Sequence, residues 1–203
     1  QAIRALTFMR DAVGADGFVP PSALTWQEEQ VRFAFQNGDA AFMRNWPYAW
    51  ALLQDGSRSR VENRFAVAPF PAAEDGQPTA ALGGAQLAVN AHSANPTLAW
   101  ALVTFLTAPD QMLERARLAA QLPARRSLYD TAALAEALPI PLDQVRQALD
   151  AAASRPASPV YTEISEILQV RLHRALTGQE LPEPALRAAA REIRTLLSRS
   201  GLS

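Results

Sequence analysis

Apolar residues recur at helical spacing along much of the chain. Ile3, Leu6, Met9 and Val13 are spaced 3, 3 and 4, which predicts a helix that has already begun at residue 1. The two glycines of "GADGF" break it, and "VPPSALTW" reads as a linker. Thr25 is placed to cap a second helix over "WQEEQVRFAFQNG", with Glu28 three residues on completing a capping box and Gly38 stopping it. "DAAFMRN" is short, apolar and bounded by turn residues, so it predicts a strand. "WPYAWALLQDG" then predicts a helix with Pro47 in its first turn.

The alternation in "RFAVAPFP" predicts a strand, and "AAEDGQPTAA" a turn-rich excursion. In "LGGAQLAVNAHS" a glycine pair precedes a predicted buried strand over 86–91. "NPTLAWALVTFL" is apolar nearly all round and predicts a buried helix. "TAPDQMLERARLAA" follows as another helix, and "QLPARRSLYD" is extended and then turns. Helices are predicted over 128–137 and 141–151, then a proline-broken crossing at "SRPASPV". Ile164, Ile167, Leu168, Leu172 and Leu176 mark what reads as the longest amphipathic helix. Leu186, Ala190, Ile193 and Leu197 mark the last, over 184–198. Short strands among many helices give α/β with helical excess, and no internal repeat is present.

Composition narrows the chemistry. With 203 residues and 49% hydrophobic content the chain can bury a sizeable core. Its net charge of −1 gives no field for nucleic acid or an anionic membrane. Every cationic side chain is Arg, which excludes Schiff-base and P-loop lysines. The absence of Cys excludes disulfides and thiolate chemistry. No run of about 18 apolar residues is present to span a bilayer. His92 and His173 stand in no metal-spacing motif, so no metal or cofactor is expected. Glu163 and Glu166 lie one helical turn apart, as on a solvated face, whereas paired catalytic acids face each other across a cleft. The basic set Arg115, Arg117, Arg125 and Arg126 accompanies no nucleic-acid motif. The absence of an initiator Met and the start inside a helix suggest a piece of a longer protein.

The stretch "RNWPYAW" concentrates aromatic residues: two of the four Trp and one of the three Tyr fall within it. Trp46, Tyr48 and Trp50 cannot all face one way at a helix start, because residues two apart point in different directions. At least one ring therefore reaches the surface or a cleft. Rigid rings with polar neighbours suit ligands having an apolar face and a polar rim, as sugars do. The same rings also fit a core, and the residues alone leave both readings open.

In order along the chain, "NGDAAFMRNWPYAW", "FAVAPFPAAEDGQPTAALGGAQLAVNAHSANPTLAWALVTFLTAPDQ", "LPARRSLYD" and "RPASPVYTEISEILQ" resemble the C-terminal half of family 1 extracellular solute-binding proteins. These are sugar-binding components of bacterial ABC importers, and the likeness is greatest to the trehalose/maltose-binding branch. The resemblance implies a type II periplasmic-binding-protein-like fold: a C-terminal lobe plus a segment of the other lobe. By that analogy residues 1–64 and 121–203 belong to the C-terminal lobe, and 65–120 cross to the N-terminal lobe. It further implies hinge closure on a di- or oligosaccharide and no catalysis. The implied setting is periplasmic or extracellular, at the membrane through ABC permease subunits. Expected partners are the sugar and the N-terminal half of the same protein, and a dimer or segment exchange is expected of the fragment.

The resemblance also implies site residues. Trp46 and Tyr48 match a W-x-Y that stacks on sugar and offers a hydroxyl. Gly83 and Gly84 match a glycine pair whose backbone approaches the ligand. Arg155, in "RPASP", matches an arginine that forks two hydroxyls, and Arg125, in "LPAR", lies in another recurrent segment. The branch often carries Trp after the glycine pair. Ala85 stands there in this chain and removes one stacking surface. Against this stand a non-catalytic helical scaffold with core aromatics, and a glycosidase fragment using its carboxylates.

Overall fold

The computed structural model describes residues 1–15, 17–72, 76–138 and 140–202. The chain forms two compact units: 1–27 with the segment from 156 onward, and 28–155. These cuts follow packing within the chain. They differ from the lobe boundaries at 64/65 and 120/121, which concern a two-lobed protein.

The first unit is three helices, α1 (Ala2–Val13), α8 (Tyr161–Leu176) and α9 (Pro182–Arg199). Small residues set their approach. Ala175 and Ala185 are fully buried and meet Leu6, with Leu172, Leu176 and Leu186 packed around them. The turn between α8 and α9 closes at Gly178, whose φ of +74° is costly for any residue with a Cβ. Gln179 N–H donates to the Arg174 carbonyl at 2.9 Å across this turn. Arg171 ties the pair further, bonding Glu180 at 3.3 Å and Glu192. At 18 residues α9 is longer than α8 at 16, so the longest amphipathic helix is the last one.

The second unit contains α2 (Glu28–Gln36), α3 (Ala49–Leu53), α4 (Pro96–Leu106), α5 (Pro109–Ala119), α6 (Ala132–Ala137) and α7 (Leu142–Asp150). Two strands, β1 (Ala80–Ala81) and β2 (Ala152–Ala153), pair in parallel. The core joins α5 and α6 through Ala116, Ala120, Leu134 and Leu138. Thr131 caps α6 by accepting from the Leu134 N–H at 3.3 Å.

Several local expectations are corrected. No capping box forms at Thr25: its hydroxyl donates instead to the Ser22 carbonyl at 3.0 Å, closing a 3₁₀ turn, and α2 starts only at Glu28. Gly38 does end α2, with φ +81°. "DAAFMRN", "RFAVAPFP" and 86–91 form no strands. A strand is a hydrogen-bonded pairing, and among the described residues only β1 and β2 pair. The expected buried strand at 86–91 is exposed at most positions, and Phe42 is 92% exposed. The helix expected over 128–137 is a 3₁₀ turn at Arg126–Leu128 followed by the shorter α6. The helix α4 forms as expected but is not buried: Leu98, Trp100, Leu102 and Phe105 are all exposed. It meets α5, and none of its own residues is buried. The turn-rich excursion includes 73–75, and the "GADGF" break includes 16; those positions lie outside the described residues. No described helix is long and apolar enough to cross a membrane.

Candidate functional site

The aromatic stretch is a turn that delivers the chain into α3. Asn45 Oδ1 accepts the Trp46 N–H at 2.7 Å. Ala49 N–H then donates to the Trp46 carbonyl at 3.1 Å, and Trp50 N–H to the Pro47 carbonyl at 3.0 Å. The side chains fan out from this turn. The Trp50 ring packs edge-on against Phe65 at 4.8 Å, and Phe65 meets Phe35 of α2 at 6.2 Å. Ala49 and Leu53 are buried beside it. Trp46 turns the other way and remains 40% exposed.

The Trp46 indole is seated on Gly83, 37 positions later in the sequence. A Cβ at residue 83 would lie 2.6 Å from Trp46 Cη2 and 2.8 Å from Cζ3, distances no side chain tolerates. Gly83 is thus a notch for the ring edge. Gly84 differs, since a Cβ there meets nothing within 4 Å and its φ lies outside the left-handed region. Packing within this chain gives Gly84 no reason to lack a side chain.

The strand ladder fixes where these glycines emerge. Ala80 pairs with Ala152 and Ala81 with Ala153, and Leu82 N–H donates to the Ala153 carbonyl at 2.8 Å. Because the pairing is parallel, Gly83–Gly84 and the exposed Arg155 leave from the same, C-terminal, ends of β1 and β2. Ligands of α/β folds collect outside the carboxyl ends of parallel strands, where backbone groups are left unpaired. Gly83, with Trp46 against it, Gly84 and Arg155 therefore all follow the same end of the ladder.

Tyr48 is held by a network that reaches into α2. Its hydroxyl donates to Glu29 Oε1 at 2.8 Å. Glu29 also accepts from Arg32 Nε at 3.2 Å, and Arg32, buried, bonds Gln36. Gln36 Nε2 in turn donates to the Arg58 carbonyl at 3.0 Å. Burial first, and then the carboxylates of Glu28 and Glu29, push the Tyr48 phenol above its ordinary range. The Arg32 guanidinium first, and then the Tyr48 hydroxyl, hold the Glu29 carboxyl below its own. The Tyr48 hydroxyl thus has its proton committed to Glu29, which leaves its lone pairs to accept.

Arg125 lies away from this cluster in the contacts it makes. Its Nε donates to the carbonyl of Thr107 at 3.0 Å, the residue that closes α4. A cation at a helix C-terminus satisfies an orphan carbonyl and opposes the helix dipole. Sequence reasoning did not single out Glu29, Arg32, Gln36 or Arg44. The first three are spaced 3 and 4 along α2, a signal of one helical face that the expected capping box obscured. Arg44 lies over the Trp46 ring, its guanidinium carbon 5.7 Å from the ring centroid. Two surface depressions lie elsewhere, at the start of α4 and around Gln77, Thr79 and Gln147 at the opposite end of the ladder. Trp46, Gly83 and Arg155 line neither of them.

Comparison with known proteins supplies the context. The family model described as bacterial extracellular solute-binding protein matches residues 1–113. A protein of Deinococcus radiodurans named "Probable ABC transporter-binding protein" is 35% identical over 190 residues, covering 92% of this chain and 44% of that protein. The T. maritima protein MalE3, solved with maltose bound, superposes with a TM-score of 0.90 at 38% identity, covering 96% of this chain and 50% of that one. A solute-binding protein of an ABC transporter from Thermotoga lettingae, solved with α-D-tagatose, gives 0.83 at 25% identity, covering 96% and 48%. This chain thus spans about half the length of the relatives it matches. The fold is that of type II periplasmic binding proteins, as the resemblance in sequence implied. The chain belongs to the bacterial extracellular solute-binding protein family.

Proposed function

We propose that this chain supplies one wall of a sugar-binding cleft in the solute-binding component of a bacterial ABC importer. The observation that carries the reading is the Trp46 ring, exposed and seated in the Gly83 notch at the carboxyl end of the β1–β2 ladder. A fixed ring offers a face for the C–H surface of a sugar. Gly84 leaves backbone open beside it, and Arg155 leaves the same strand ends with a planar fork suited to hydroxyl pairs. Tyr48, its proton committed to Glu29, contributes an acceptor. Arg125 belongs to the reading more weakly, since one of its donors already serves Thr107.

In this reading residues 1–64 and 121–203 form part of one lobe, and 65–120 cross to the other, with ligand held by closure of the two. The ligand is a di- or oligosaccharide of the maltose or trehalose kind; MalE3, the relative at 38% identity, was solved with maltose. The protein then works outside the cytoplasmic membrane and delivers sugar to permease subunits, without catalysis. The scaffold reading with core aromatics is disfavoured by the exposure of Trp46.

Titration calorimetry with maltose, trehalose and glucose tests the proposal on the protein as its source cell makes it. Saturable one-to-one binding of at least one sugar supports it. Failure of all three to bind overturns it.

A further inference from the structure

The guanidinium of Arg44 lies over Trp46, at 5.7 Å from the ring centroid. It arrives there because Arg44 and Trp46 flank Asn45, whose side chain fixes the backbone between them by accepting the Trp46 N–H. Among the described residues, Arg44 has no carboxylate partner: its one recorded interaction is the ring. Arg60, Arg64, Arg115 and Arg126 of the same unit also lack an acid partner among the described residues, but of these five Arg44 alone lies over an aromatic ring. Arg32, Arg58, Arg117 and Arg146 are each paired with an acid, and Arg125 bonds a helix-end carbonyl. A guanidinium over an aromatic face keeps its in-plane N–H donors pointing outward, and those donors need partners of their own.

From this geometry we propose that Arg44 is a further ligand-contacting residue, acting as one unit with Trp46. The ring is the floor, and the guanidinium is a hydrogen-bonding rim that recognises a pair of neighbouring hydroxyls on a neutral pyranose. The inference rests on the sugar-binding reading above and deepens it. Three features on one side chain carry it: the stacked position, the uncommitted donors and the location beside the Gly83 notch. Neutral hydroxyls fit better than an anion, because the Glu28 and Glu29 carboxylates stand around Tyr48, two residues beyond Trp46.

Two measurements test it. The first needs no sugar. Acrylamide quenching of the Trp46 emission, isolated by difference against Trp46→Phe, is expected to rise in Arg44→Ala because the guanidinium no longer shields the ring. Unchanged quenching overturns the proposal. The second is calorimetry with maltose on wild type, Arg44→Ala, Trp46→Ala and the double variant. Arg44→Ala is expected to weaken maltose about fivefold, and the double variant to bind about as poorly as Trp46→Ala alone, since the rim works only above its floor. Binding is also expected to change little between low and high salt, as it does for an uncharged ligand. Wild-type affinity in Arg44→Ala, or additive losses in the double variant, overturns the proposal while leaving sugar binding itself intact. If wild type binds none of the sugars, the functional reading falls and this inference falls with it, a pattern distinct from the loss of the Arg44 effect alone.

Discussion

The helices α4 and α9 make an informative pair. The segment α4 is the more apolar of the two, yet none of its residues is buried. The helix α9 carries six charged residues along its 18, yet buries Pro182, Ala185, Ala188 and Ala189. Apolar composition sets what a helix gains when covered; whether it is covered depends on what lies opposite. For α9 the chain provides α1 and α8. For α4 it provides little beyond α5 and a cap from Arg125 on the closing carbonyl. The same contrast recurs over five residues at Trp46 and Trp50: one ring faces Phe65 and the other faces out.

The covered side of this contrast is broken most severely at Leu6. It is 4% exposed and wedged against Ala175 and Ala185. Alanines cannot collapse into the space a leucine leaves. Leu6→Ala is expected to destabilise by about 2–5 kcal/mol, the range for a buried leucine whose cavity persists. Urea unfolding followed by circular dichroism measures it. A loss below about 0.5 kcal/mol would mean the three-helix packing is not what holds this unit.

How far all this was legible in sequence follows the same line. Helices announced themselves because their signal is local. The spacing of Leu186, Ala190, Ile193 and Leu197 located α9 to within two residues at its start. The strands did not, since "DAAFMRN" and 86–91 have strand-like composition but pairing is a property of two segments. Thr25 and Glu28 had the spacing of a capping box, and the prolines at 20 and 21 instead began a 3₁₀ turn that took the Thr25 hydroxyl. At the site, the resemblance supplied Trp46 and Gly83 as separate names. That one is the seat of the other, across 37 positions, is long-range geometry no spacing rule contains. The Tyr48–Glu29–Arg32–Gln36 chain was partly legible in the helical spacing of its last three members.

The two tryptophans sharpen the comparison next. Trp46→Ala is expected to weaken sugar binding by about 1–3 kcal/mol, roughly five- to 150-fold, while shifting the melting temperature little. Trp50→Ala is expected to do the reverse. It removes a half-buried ring packed on Phe65, for about 2 kcal/mol of stability, less than a fully buried tryptophan would cost. Calorimetry and thermal melting of the same two variants decide it. Equal effects on both quantities would show that the rings do not divide the labour.

The smallest effect, and the one most contrary to intuition, belongs to α4. Leu98 is 70% exposed near the start of α4, the most apolar of the longer helices. Leu98→Glu buries no charge and opens no cavity, so its stability change is expected to stay within about 0.5 kcal/mol, as for other surface substitutions. Placed in the first turn of α4, the new carboxylate also faces the positive end of the helix dipole, which offsets part of any loss. What should change is association. Leu98, Trp100, Leu102 and Phe105 together present an apolar surface of the kind that draws proteins together, so the chain is expected to form dimers or larger species at high concentration. A charge in that surface is expected to shift the equilibrium toward monomer, which light scattering across a concentration series reads directly. If Leu98→Glu instead unfolds the unit, then α4 is covered in solution by something within the chain, and the contrast with α9 disappears.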